Sequence, residues 1–149
     1  MEIKTVLVQM SMAFLGSLGF SMVFGMRKKH LLIASVGGVL TYVIYLAMSS
    51  LFQNDIFMPC LIASAAAVLY AELLARLRKC PATIFVIPAI LPLIPGSSLY
   101  YTMANAVRGN IAETKAYGSK TLVTALAIAA GISFVIALRQ LNTKRASSR

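Results

Sequence analysis

The stretch Cys80-Pro81-Ala82-Thr83-Ile84-Phe85-Val86-Ile87-Pro88-Ala89-Ile90-Leu91-Pro92-Leu93-Ile94-Pro95-Gly96-Ser97-Ser98-Leu99-Tyr100-Tyr101-Thr102-Met103 decides the fold. It is long and apolar enough to cross a bilayer, which takes about 20 residues, yet it holds four of the chain's five prolines. In a continuous helix Pro88, Pro92 and Pro95 would each lack the amide hydrogen that the ladder needs, stranding the carbonyls of Ile84, Pro88 and Leu91. A stranded carbonyl is costly in lipid, so this backbone must be shielded by protein or line a watery cavity. Gly96 permits a turn or the close approach of a ligand. Ser97 or Ser98 is placed to cap a new half-helix running through Tyr100 toward Asn105. Such a half-helix would offer free amides and the positive end of its dipole to an anion, as broken membrane helices do for substrate carboxylates. The competing reading is a proline-kinked packing helix without a ligand.

The rest of the chain has the same solvent. Of 149 residues, 59% are hydrophobic and 12% charged, against roughly 25% charged in soluble proteins. A chain this short cannot bury so much apolar surface in its own core, and a mean hydropathy of +0.82 excludes disorder. Apolar runs near 5–25, 31–52, 56–75 and 121–138 flank the proline-rich run at 82–103. No run shows the period-2 alternation of a barrel strand, and lipid offers no partner to an open sheet edge. The expected fold is therefore all-α: one integral membrane domain over 1–149, polytopic, with about five transmembrane helices and the fourth broken by Pro and Gly. The first run is too long for a secretory h-region and ends in Met26-Arg27-Lys28-Lys29, with no small-residue cleavage site, so it is expected to stay as an anchor. Only 104–120 is long enough for a surface loop or short helix.

Five spans place Arg27, Lys28, Lys29, Arg76, Arg78, Lys79 and the basic tail 139–149, with its four cations, on one side. Lys4, Arg108, Lys115 and Lys120 fall on the other. The positive-inside rule then predicts an external N-terminus and a cytoplasmic C-terminus. If the fourth run instead re-enters, the split weakens to nine against five. An odd span count also fits half of a transporter that pairs two inverted repeats around a midplane site.

Small residues recur every fourth position: Ala13, Ser17, Ser21 and Gly25; Ala63, Ala67, Ala71 and Ala75; Ala125, Ala129, Ser133 and Ala137. Such stripes let membrane helices pack closely, within the chain, against another subunit or in a homo-oligomer. Glu72 is the one acid well inside a run, and Arg76 follows it at the favourable i, i+4 spacing, an ion pair or a coupling group. Arg108 is the second charged candidate for coupling. His30, in a basic join, reads as a solvated loop residue, and Asp55 beside Asn54 as turn chemistry. A helix would hold Cys60 and Cys80 about 30 Å apart, too far for a disulfide. No metal ligand spacing and no phosphate-binding Gly-Lys-Ser/Thr pattern occurs, so no metal or cofactor is expected. The net charge of +10 is dispersed between apolar runs, which argues against nucleic acid.

Lys79-x-Pro81, Phe85 and Pro92-Leu93-Ile94-Pro95-Gly96-x-x-x-Tyr100-x-x-Met103, set among small-residue-rich spans, resemble the signature of the threonine/serine exporter family. More narrowly the chain resembles that family's small, separately encoded subunit, the counterpart of the C-terminal membrane half of the fused exporters. The resemblance implies a cell (inner) membrane exporter of small carboxylates, threonine/serine-type amino acids or dicarboxylates. It also implies a larger partner with a soluble N-terminal domain and its own spans, and points to Pro92, Pro95, Gly96 and Tyr100 as determinants. Two rival classes stand beside this non-enzymatic transporter. One is a membrane scaffold or assembly subunit. The other is an intramembrane enzyme, which would need a nucleophile and base at one depth; sparse acids and a single histidine argue against it.

Overall fold

The computed structural model describes residues 3–147, with side chains over 4–141. Lys144, Arg145 and Arg149 of the basic tail thus lie outside the described side chains. The elements are α1 (Ile3–Val23), α2 (Lys28–Leu51), α3 (Phe57–Arg78), α4 (Thr83–Ile90), a single 3-10 turn (Leu91–Leu93), α5 (Gly96–Val107) and α6 (Ile111–Ser147). No strand occurs among the described residues. Helices α1, α2, α3 and α6 are each long and apolar enough to cross a bilayer. The fourth apolar run is divided, α4 with its 3-10 turn meeting α5 at a bend of 56°.

Local chemistry sets the joins. Helix α1 stops where Gly25 takes φ +64°, and the amides of Gly25 and Met26 donate to the carbonyls of Met22 and Ser21. This paired closure satisfies the last carbonyls without a side chain. Pro59 sits in the first turn of α3, where its missing amide hydrogen has no role. The 104–120 stretch, read from sequence as a loop or short helix, is a tight helical corner. Gly109 at φ +73° ends α5 through Gly109 N–H to Ala106 O and Asn110 N–H to Asn105 O. Asn110 Oδ1 then accepts the Glu113 amide at 3.3 Å and starts α6. The polar residues 111–120 are thus the front of a 37-residue helix, about 56 Å long against a hydrocarbon core of about 30 Å.

The packing inverts that of a soluble protein. Buried positions are mostly small (Ala34, Ala63, Ala67, Ala71, Ala127), while Leu7, Met12, Leu15, Leu73 and Leu126 are exposed, the order expected of a lipid-facing bundle. Central α2 contacts α1, α3 and α4. Gly37 lies beneath the Tyr70 ring, whose hydroxyl donates to Ile33 O at 2.7 Å. A Cβ at Gly38 would collide with Ser17 Oγ and come within 3.2 Å of the Pro88 carbonyl. On the other side, Gly131 of α6 sits against Leu61 O and Ser64 of α3.

The small-residue stripes divide by role. On α3, Ala63, Ala67 and Ala71 are buried, and on α1 so are Ser17 and Ser21. On α6 the whole stripe Ala125, Ala129, Ser133 and Ala137 faces outward, and the packed face is Thr124, Ala127, Gly131 and Val135.

Candidate functional site

The break is built from three prolines, and two of the carbonyls they strand, those of Pro88 and Leu91, gain replacement donors. Pro92 leaves the Pro88 carbonyl without a helical donor, and Ser17 Oγ of α1 donates to it at 2.9 Å in the buried interior. Ile94 N–H donates to Leu91 O at 3.2 Å, closing the 3-10 turn. Ile94 then extends (ψ 124°), and Pro95 (φ −79°, ψ 56°) centres an inverse γ-turn closed by Gly96 N–H to Ile94 O at 2.8 Å. The shielding that the prolines demand is supplied by protein.

Helix α5 begins at Gly96 with Pro95 at its cap position and no side-chain cap. The expectation that Ser97 or Ser98 caps the half-helix is therefore corrected, because the helix starts one residue earlier and places both serines in its first turn. Their hydroxyls make no hydrogen bond among the described residues, and their amides find no backbone acceptor. Both serines, with Pro92 and Pro95, line a cavity of about 240 Å³. Lys120 and Thr124 of α6 form the opposite wall, and Tyr45 and Cys60 close it from α2 and α3. The Lys120 ammonium lies 5.9 Å from the Tyr117 ring centroid, and among the described residues no Asp or Glu lines the cavity. One cation, two hydroxyls, two free amides and a positive helix end suit a carboxylate.

Gly96 has open space where a Cβ would stand and no positive φ, so the fold does not require glycine there. Tyr100 points away, 67% exposed, its ring edge-on to Tyr101. Asn105 is half-buried and serves the α5–α6 corner through its carbonyl. Cys60 and Ile56 belong to the start of α3, so the break lies toward the bundle end that carries the α2–α3 join.

Glu72 takes a partner other than the one its spacing suggested. Arg139 Nη1 of α6 meets Glu72 Oε1 at 3.1 Å, while Arg76 faces outward with no ion pair among the described residues. Glu72 and Arg139 border a cavity of about 660 Å³ whose other walls include Val86 and Ile87 of α4. Arg108 is exposed at the α5–α6 corner, at the opposite end. His30, read as a solvated loop residue, is buried in the first turn of α2, its ring edge-on to Phe85 with centroids 5.7 Å apart. Cys60 and Cys80 are both free. Lys120, Thr124, Tyr45 and Arg139 carried no local signal, since each reaches its site through long-range packing.

A family model described as "Threonine/Serine exporter, ThrE" matches residues 9–138. No curated protein and no solved structure matches the chain.

Proposed function

The chain belongs to the threonine/serine exporter family, and we propose that it is a membrane subunit of a secondary exporter of small carboxylates, working with a larger partner. The family carries an export role of the threonine/serine type. The observation that supports the finer reading is the cavity at the break, where Ser97, Ser98 and Lys120 converge on a half-helix N-terminus. The substrate carboxylate binds there, and the substrate is a threonine/serine-type amino acid or a dicarboxylate. Pro92, Pro95 and Gly96 shape the site. The second cavity, with Glu72 and Arg139, borders the same segment nearer the other end and is the place for coupling. The outward stripe on α6 supports a partner, since small residues left exposed among the described residues offer close approach to another helix.

The N-terminus is external and the C-terminus cytoplasmic in the cell membrane, by the ten-to-four division of basic residues. In support, Arg27, Lys29, Arg78 and Lys79 all border one cavity at one bundle end. The test is efflux from vesicles holding this chain alone, the larger chain alone, or both. Flux only with both supports the reading. Full flux with this chain alone would replace the two-subunit exporter by a homo-oligomer, and equal flux without it would leave a scaffold.

A further inference from the structure

A separate cavity of about 480 Å³ opens at the bundle end that carries the α1–α2 and α3–α4 joins. Arg27 and Lys29 from one join and Arg78 and Lys79 from the other form its rim, and among the described residues no Asp or Glu lines it. The N-termini of α2 and α4 lie at the same end, both without a side-chain cap. His30 lines the cavity while only 8% exposed, and its Nδ1 is enclosed without a hydrogen-bond partner among the described residues. A buried imidazole left incomplete is costly unless a ligand completes its bonding. Lys79 occupies left-handed backbone at φ 52°, where glycine would be cheaper, so a cation is held at the rim against a steric cost. Below the rim, Phe24, Ile84, Ile87 and Pro88 form an apolar wall.

These features select the ligand. A zwitterion would bring its ammonium among four cations with no acid to receive it. A phosphate concentrates negative charge and acceptor oxygens that arginine forks match. A free phosphate would leave the apolar wall uncovered, whereas a phosphate tethered to an acyl chain occupies rim and wall together. We propose that this cavity binds the phosphate of an anionic phospholipid, the headgroup in the rim and an acyl chain along the wall. Basic pockets between spans at a membrane surface hold lipid headgroups by this chemistry. The assignment stands apart from the exporter's substrate.

The test is native mass spectrometry of the full chain in neutral detergent with added phosphatidylglycerol, phosphatidylcholine or inorganic phosphate, alongside thermal unfolding. Phosphatidylglycerol should be retained over phosphatidylcholine. The exposed pair Arg27→Gln and Arg78→Gln should lower that retention about thirtyfold, and Arg27→Gln alone about fivefold, each cation contributing about that much at an anionic surface. Lys115→Gln, near the other end, should leave it unchanged. Lipid-free Tm should stay native in all three, since these side chains are exposed. Equal retention of both lipids, or unchanged retention in the double variant, would overturn the proposal. Stabilisation by inorganic phosphate without any lipid preference would assign the rim to a free anion instead.

Discussion

Ser17 Oγ holds the buried carbonyl that Pro92 strands, and Gly38 makes room for that contact by lacking a Cβ. Ser17→Ala should cost about 1–2 kcal/mol, because it leaves a buried acceptor unmet. Gly38→Ala should cost about 1–3 kcal/mol through overpacking, whereas Gly96→Ala, with open space, should change stability by less than about 0.5 kcal/mol. Unfolding in mixed micelles measures all three, and a costly Gly96→Ala would show that glycine there serves the fold. Lys120 is the one cation among the described residues that lines the break cavity. Lys120→Gln should raise the apparent KM for efflux about tenfold, the worth of a charge-assisted hydrogen bond, while the amount of folded protein stays native. The serines and prolines of this site were legible because proline and its neighbours act locally. Lys120 and Arg139 were not: nothing near Glu72 in sequence points 67 residues onward to Arg139.

At the scale of elements, the proline spacing announced the break, and hydrophobic run length announced the spans, because both are properties of a short window. The caps were harder to read. Gly109 and Asn110 form a two-residue corner that makes the stretch expected as a surface loop or short helix into a helical hairpin. Polar residues 111–120 read only as a surface loop or short helix because they outrun the bilayer, so hydrophobic run length does not join them to the span that follows. Burial of His30 escaped for a related reason, since only the fold brings Phe85 of α4 over the first turn of α2. Gly109→Ala should strain the corner by about 1–2 kcal/mol, its φ of +73° being costly for any residue with a Cβ. Hydrogen exchange should then rise at 104–112 while α3 keeps its protection. Uniform exchange across both would mean that the corner is no local unit.

The whole molecule places its ionic features at opposite ends of a bundle whose middle is packed by Ala, Ser and Gly. One end carries the basic joins and Arg139, the other the α2–α3 join and the break. Single cysteines at Asn54 and Ser147, in a background lacking Cys60 and Cys80, report orientation through an impermeant thiol reagent added outside. Asn54 shares the side of the basic-poor joins if the bundle crosses as the charge division predicts, so a label at Ser147 with none at Asn54 would reverse the topology.

The central claim is that the broken fourth segment binds the exported carboxylate. Ser17 already satisfies the Pro88 carbonyl, so Pro92→Ala together with Pro95→Ala gains backbone donors, favours a continuous helix and should leave folding intact. The direct test is substrate efflux from vesicles containing this chain and its larger partner, normalised to folded protein, for the native pair and for this double variant. The account predicts that efflux falls at least about tenfold, the half-helix terminus having been lost to the ladder. Efflux at the native rate would reduce the segment to a packing kink and contradict it.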